Sequence, residues 1–253
     1  MKLLLHLSFL GTNYCGYQIQ PNGVTVQQKL NEATRALFGF DCDIVGCSRT
    51  DSGVHANQFC VTVAEKGKNS LSTSIPIDRI PVAIAQYLPD DISVTYAQAV
   101  SEEFHSRYDV KYKEYVYRIW NRPERNPFLS DRTWHYPRPI SEEDLARMNS
   151  AASRWIGAHD FASYMAADSK IKDTVRTIYD ARVARDGDVI EFRVSANGFL
   201  YHMVRILTGT LIAVAEGKLS PDEIEKITEA RDRRLAGITA PPQGLFLNRV
   251  VYE

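Results

Sequence analysis

The chain has 253 residues, a formal net charge of −1, 44% hydrophobic residues and 24% charged residues. These values are ordinary for a soluble globular protein of one large or two small domains, and the balanced charge excludes a basic nucleic-acid-binding tail. No apolar run approaches the length of a membrane span, and the interrupted segment 1–11 favours a first strand over a signal peptide. The four cysteines have no metal-binding spacing, which favours reduced thiols in a cytoplasmic protein.

The first hundred residues predict the element order β-α-β-β-α-β, which is the ferredoxin-like unit. A strand over 3–10 is followed by a helix that begins after Thr25, where a capping pattern stands, and ends at Gly39. Two strands flank the segment 46–56, a helix lies near 78–88 before Pro89, and a strand covers 92–100.

The remaining residues predict the same order with one extra helix. We expect a strand over 113–120, a helix from Ser141 that Gly157 stops, and a hairpin that turns at Asp186-Gly187. An apolar helix over 199–217, a helix opened by Ser220-Pro221 and a strand over 244–253 complete the chain. The sequence therefore predicts two related half-domains, 1–100 and 101–253, around a shared cleft.

The segment GCSRTDSGVHA, residues 46–56, carries more charge than a hairpin needs, since two to five turn residues suffice. It contains Arg49, Asp51 and His55. Asp51 has two interpretations: an acid in a surface ion pair or turn, or a carboxylate nucleophile or base that a neighbouring arginine keeps ionised.

Other side chains also allow two interpretations each. Arg205 lies in an otherwise apolar predicted helix, where it either extends from the core edge to solvent or meets an acid or phosphate. Tyr115 and Tyr117 share one face of a strand, where they pack or, if the strand lines a cleft, stack on a nucleobase. DCDIV, residues 41–45, resembles a phosphatase D-x-D loop, but it follows a helix rather than a buried strand, which favours two solvated acids.

Five segments in order resemble the tRNA pseudouridine synthase A family and span nearly the whole chain. GCSRTDSGVHA is similar to the family signature, and GTNYCGYQIQPNGVTVQQKL to its N-terminal stretch. FHSRYDVKYKEYVYRI resembles the segment with the active-site tyrosine, GFLYHMVRILTGTL the arginine-bearing helix, and GLFLNRVVY the closing strand. Small departures are Ser48 and Ser52 in the signature, and Leu10 where relatives often have aspartate; a left-handed conformation at Ser48 would be strained.

The resemblance implies an enzyme that isomerises uridine to pseudouridine in the anticodon stem-loop of tRNA, at positions 38–40, as a homodimer without cofactor or metal. It implies an α+β fold in which two ferredoxin-like half-domains, with mainly antiparallel sheets, form one central sheet with helices packed on it. The implied site residues are the catalytic Asp51, the signature Arg49, the active-site Tyr115, Arg205 as the partner of the aspartate, and Leu245 at the base, with His55 and Arg107 also at the substrate.

The implied chemistry needs a carboxylate, which can add to C6 of the ring, attack C1′ or remove a ribose proton; these three routes stay open. The base must leave its stem, and stacking on Tyr115 offsets part of the cost. Of the 23 basic residues in 101–253, 17 are arginine, which suits phosphate contacts. We expect tRNA to dock across both subunits on arginines such as Arg107, Arg122, Arg125 and Arg176. The alternatives are a non-catalytic RNA-binding protein and a magnesium-dependent phosphatase.

Overall fold

The computed structural model describes residues 1–169 and 171–252. It divides into two compact units. The first unit comprises Met1–Lys111 and the end of the chain from Leu247, and the second comprises Tyr112–Phe246. The predicted halves divide after residue 100, whereas the compact units divide after Lys111, and the end of the chain joins the first unit.

The first unit has the predicted β-α-β-β-α-β order. Its elements are β1 (Lys2–Phe9), α1 (Val26–Phe38), β2 (Cys42–Gly46), β3 (His55–Glu65), α2 (Ile80–Ala85) and β4 (Ile92–Val100). The strands are antiparallel in the order β4-β1-β3-β2, which is that of a ferredoxin-like sheet. The long strand β3 pairs with β2 only over Val61–Glu65, so the chain between the two strands is free to form a loop at the other end.

The ends of α1 agree with the sequence prediction because both are set by local chemistry. The Thr25 side chain accepts a hydrogen bond from the Gln28 N–H, at 3.3 Å. Gly39 adopts φ 80° and donates its N–H to the Arg35 carbonyl, at 2.9 Å. Helix α2 is shorter than predicted because Tyr87 and Leu88 donate to carbonyls three residues back, which tightens the chain ahead of Pro89.

The second unit has the predicted elements and two further short strands. Its elements are β5 (Tyr112–Trp120), β6 (Trp134–His135), α3 (Glu142–Ser153), β7 (Gly157–Asp160), β8 (Val175–Asp186), β9 (Val189–Ala196), α4 (Met203–Ala215), α5 (Glu223–Ala230) and the start of β10 (Leu245–Val251). Strands β5, β9, β8 and β7 pair in that order and are antiparallel, and β6 lies parallel to β5. The α+β class is therefore confirmed. The strand predicted over 244–253 includes Glu253, which lies outside the described residues.

Two further predicted helix ends are wrong. Helix α4 begins at Met203 rather than near residue 199, because His202 takes a left-handed φ of 60° just before it. Helix α3 ends at Ser153, whereas Gly157, at φ 113°, begins β7 instead of stopping the helix. No helix within the described residues combines the length and the apolar character that crossing a membrane requires.

Candidate active site

Asp51 lies in the aspartate loop, residues 47–54, which joins β2 to β3. The Asp51 carbonyl accepts a hydrogen bond from the Val54 N–H at 3.2 Å, and Gly53 between them adopts φ 77°. This tight turn needs the left-handed conformation that glycine adopts at little cost. Arg49 is exposed and Asp51 half-buried, so the loop presents both side chains away from the core.

A second segment, the N-terminal seat (residues 10–17), supports the aspartate loop from one side. The Tyr14 carbonyl accepts hydrogen bonds from the Ser52 hydroxyl at 3.2 Å and the Gly53 N–H at 3.4 Å. The Tyr17 N–H donates to the Thr50 carbonyl at 3.3 Å. The residues on both sides of Asp51 are therefore bonded to the seat.

Two glycines let the seat approach the loop closely. Gly16 adopts φ 78°, and a Cβ atom there would overlap the Thr50 carbonyl oxygen. A Cβ atom on Gly11 would overlap the Val54 carbonyl oxygen. Larger residues at either position would push the loop off the seat.

The seat is itself held by Asp91, the residue just before β4. The Leu10 N–H donates to the Asp91 carbonyl at 2.9 Å, and the Asn13 side-chain amide donates to the Asp91 carboxylate at 3.2 Å. The Tyr14 hydroxyl donates to the other carboxylate oxygen. Burial, together with the Asp91 carboxylate, raises the pKa of Tyr14, so its hydroxyl keeps the proton that it donates.

His55, the first residue of β3, follows the aspartate loop and bonds to the seat. It is fully buried, and its Nδ1 accepts a hydrogen bond from the Gly11 N–H at 2.9 Å. An accepting Nδ1 defines a neutral ring with its proton on Nε2. The contact that the structure shows is therefore one of support, and the predicted contact of His55 with substrate stays a prediction.

The departures from the family pattern at Ser48, Ser52 and Leu10 are compatible with the structure. Ser52 gains a hydrogen bond to the seat that alanine would lack. Ser48 is not among the residues with positive φ, so the strain considered for it does not arise. The Leu10 N–H contributes a contact to Asp91 through its backbone, which does not depend on the side chain.

The two acids of the segment DCDIV, Asp41 and Asp43, contact groups of neighbouring elements in the first unit. Asp41 pairs with Arg35 at 3.5 Å, and the Asp43 carboxylate accepts the Gly67 N–H at 3.0 Å. Within the described ranges, no group of three or more His, Cys, Asp or Glu side chains could hold a metal ion. Both acids thus belong to the connection between helix, strand and turn.

In the second unit, Arg205 lies in the first turn of α4 and is fixed by two hydrogen bonds to Ala240. The Arg205 Nε donates to the Ala240 carbonyl at 2.7 Å, and the Ala240 N–H donates to the Arg205 carbonyl at 3.1 Å. A Cβ atom on Gly209 would overlap the Ile238 carbonyl, so the backbone before Ala240 lies directly on α4. This segment leads to Leu245, a buried residue at the start of β10.

Tyr115 and Tyr117 both lie in β5 and both are buried. The Tyr115 ring meets the Phe199 ring edge-on, with centroids 5.0 Å apart. The Tyr117 hydroxyl donates to the Pro241 carbonyl at 2.7 Å. Burial raises the pKa of Tyr117, and the charge of Arg205 opposes that rise in part. Tyr117 therefore supports the segment that contains Pro241 and Ala240, and Ala240 is the residue that bonds to Arg205.

The structure brings the predicted residues together in two groups. In the first unit, Arg49 and Asp51 lie in the aspartate loop, and His55 follows it as the first residue of β3. In the second unit, Arg205 bonds to Ala240 in the segment 237–244, which leads to Leu245. Arg107 lies exposed on a turn of the first unit. Sequence reasoning missed Asp91 as a support, because an acid just before a strand carries no local indication of a partner 77 residues away.

Comparisons with known proteins identify the family of this chain. The family model described as tRNA pseudouridine synthase matches residues 7–109 and 151–253. A protein named tRNA pseudouridine synthase A from Thermoanaerobacter sp. (strain X514) is 42% identical over 251 residues, 99% of each chain. One of the same name from Bacillus pumilus (strain SAFR-032) is 41% identical over 255 residues, 100% of each chain. The chain belongs to the tRNA pseudouridine synthase family.

Among solved structures, one chain described as "Crystal Structure of a Cbf5-Nop10-Gar1 Complex" aligns with 97% of this chain and 48% of its own length. The TM-score is 0.39 and the identity 12%, a likeness too distant to bear on the site.

Proposed function

We propose that this tRNA pseudouridine synthase acts on uridines 38–40 of the anticodon stem-loop, with Asp51 as its catalytic carboxylate. Isomerisation of uridine in tRNA follows from the family; the target positions and the residue roles are the proposal. We propose further that the enzyme is a cytoplasmic homodimer that needs neither cofactor nor metal.

The reaction replaces the N1–C1′ glycosidic bond by a C5–C1′ bond. The N1–C1′ bond breaks, the uracil turns, C5 bonds to C1′, C5 loses its proton and N1 gains one. No net oxidation occurs, so the balance requires no redox partner. Asp51 adds to C6, attacks C1′ or removes a ribose proton, and each route requires the ionised carboxylate.

The remaining site residues serve this carboxylate and the flipped base. Arg205 and Arg49 have the role that the family resemblance implies, which is to keep the Asp51 carboxylate ionised. Tyr115 stacks on the uracil after it has left the stem, and Leu245 supplies an apolar contact to the ring. His55 and Arg107 complete the substrate contacts.

The observation that carries the proposal is the support built around Asp51. Three hydrogen bonds join the loop at Thr50, Ser52 and Gly53 to the seat. A solvated surface acid needs no such support, whereas a catalytic group must be held in place before substrate binds.

The test is tritium release from unmodified tRNA labelled at uracil C5, in the presence of EDTA. We expect release by the wild type and none by Asp51→Asn, which should still bind tRNA. Asp43→Asn is the matched control, because an amide oxygen still accepts the Gly67 N–H; it should release tritium at the wild-type rate. Mapping pseudouridine in the product tests positions 38–40.

Two other outcomes contradict parts of the proposal. If neither protein releases tritium and both bind tRNA, the chain is an RNA-binding protein that keeps the loop without its chemistry. If Asp51→Asn releases tritium normally, another group is the catalyst.

A further inference from the structure

A tyrosine next to Arg107 is one of the most exposed aromatic side chains among the described residues. Tyr108 is 77% exposed, and its ring lies against the His105 ring with centroids 4.2 Å apart and an interplanar angle of 31°. One ring face is therefore covered by His105, while the other is open to solvent. This open face is accessible to a second planar group.

The turn that carries this ring is held by its own hydrogen bonds. The His105 Nδ1 accepts the N–H groups of Arg107 at 3.1 Å and Tyr108 at 3.2 Å. The His105 N–H donates to the Asp109 carboxylate at 2.9 Å, and the Asp109 N–H donates to the His105 carbonyl at 3.1 Å. The two rings are thus arranged before any partner arrives, which lowers the entropic cost of binding.

The turn is also anchored to the strand that leads into the aspartate loop. Ser106 is fully buried, and its hydroxyl donates to the Val45 carbonyl in β2 at 2.6 Å. The Tyr252 hydroxyl donates to the Ser106 carbonyl at 2.8 Å. Val45 stands six residues before Asp51, so the anchor lies at most ~20 Å of chain from the carboxylate.

We propose that the rings of Tyr108 and His105 form a stacking platform for an unpaired base of the substrate RNA, other than the uridine that is isomerised. Proteins recognise RNA loops chiefly by stacking unpaired bases on aromatic rings, and the anticodon loop offers such bases. This inference rests on the proposed function, which supplies the RNA.

Arg107 completes the platform as the contact for an adjacent phosphate. Its side chain is exposed and forms no ion pair with any described residue, so its charge is available to a ligand. An exposed aromatic ring and an exposed arginine at consecutive positions match a nucleotide, which joins a flat base to an anionic phosphate.

The first measurement is the affinity for an unmodified anticodon stem-loop RNA, by fluorescence anisotropy. Tyr108→Ala should bind roughly 5- to 100-fold more weakly than the wild type, whereas Tyr108→Phe, which keeps the ring, should bind normally. Tyr87→Ala is the matched control, since Tyr87 is 43% exposed in the same unit and lies outside the platform; its affinity should not change.

A second measurement identifies the stacked base. Stem-loops that lack one base at each loop position in turn are bound to the wild type and to Tyr108→Ala. At one position, loss of the base should weaken the wild type by the same factor as Tyr108→Ala, and the two changes together should cost no more than either alone. Full additivity at every position would overturn the platform.

The remaining outcomes separate this inference from the proposed function. Tyr108→Ala should still release tritium at saturating tRNA, because the platform binds RNA and performs no chemistry. Wild-type affinity in Tyr108→Ala overturns the platform alone, and absence of release by the wild type overturns the function alone. A change of oligomeric state in Tyr108→Ala, measured by light scattering, would assign the ring to a protein interface and overturn the platform.

Discussion

At the scale of the residue, Asp91 holds the N-terminal seat in place. It bonds to Leu10 through its carbonyl and to Asn13 and Tyr14 through its carboxylate. Because the seat in turn bonds to the residues around Asp51, Asp91 affects the position of the Asp51 carboxylate indirectly. It is a positioning residue rather than a catalytic one.

We expect Asp91→Ala to lower kcat at least 10-fold while KM for tRNA changes little, since small displacements of a reacting group cost large factors in rate. Asp91→Asn keeps an acceptor for the Tyr14 hydroxyl and should restore most of the activity. Single-turnover tritium release and a tRNA-binding measurement separate the two parameters.

The neighbouring Asp90 is exposed and serves as the control, so Asp90→Ala should behave as the wild type. An equal loss of tRNA affinity and kcat in Asp91→Ala would show general unfolding of the unit instead of displacement of the loop.

At the scale of the element, helix α3 shows how a local pattern sets a boundary. The Asp144 N–H donates to the Ser141 hydroxyl at 3.1 Å, and the Ser141 N–H donates to the Asp144 carboxylate at 2.9 Å. This reciprocal capping box was readable from four consecutive residues, and the predicted start of α3 is confirmed.

We expect Ser141→Ala to lower the free energy of unfolding by about 1 kcal/mol, as loss of an N-cap does. Ser150→Ala, an exposed position in the same helix, should change it little. The urea midpoint at pH 7 measures both, and equal destabilisation by the two variants would contradict the cap.

The cap also has a defined pH dependence. The hydrogen bond from the Ser141 N–H, together with Arg147, lowers the pKa of Asp144. The Asp144 carboxylate therefore makes its full contribution to stability at pH values above its unfolded-state pKa, near 3.9. This contribution is lost as pH falls through the lowered pKa of the folded state. The difference between the wild type and Asp144→Asn should accordingly shrink in acid.

Elements without such local chemistry escaped prediction. Strands β6 and β7 have two and four residues, too few for a period of two to be visible. The late start of α4 also escaped prediction, because His202 adopts a left-handed φ of 60°, a conformation that residues other than glycine seldom take.

At the scale of the whole molecule, docking of tRNA is expected to span both subunits of the proposed homodimer and to draw on arginines of residues 101–253. The four arginines proposed for it differ in their surroundings. Arg122 pairs with Glu124 and Asp188, and Arg176 donates to two backbone carbonyls, whereas Arg107 and Arg125 are exposed without an ion pair to any described residue.

We expect replacement of all four arginines by glutamate to weaken tRNA binding. The slope of log K against log salt concentration should become shallower by about 3. The control carries the same charge change at four exposed lysines: Lys66, Lys68, Lys218 and Lys226. Unchanged binding of the arginine variant at low salt would remove the proposed surface.

The sequence by itself determined the order of the elements other than β6 and β7, both ends of α1, the capped start of α3, and the loop on which Asp51 lies. Periodicity, caps and turns act between residues a few positions apart, so they can be recognised without a structure. Only the tertiary structure decided what holds that loop. The contacts of Tyr14 with Ser52 and Asp91, and of Gly11 with His55, join residues 38, 77 and 44 positions apart. They depend on the pairing of β1 with β3 and β4, and no local pattern specifies such partners.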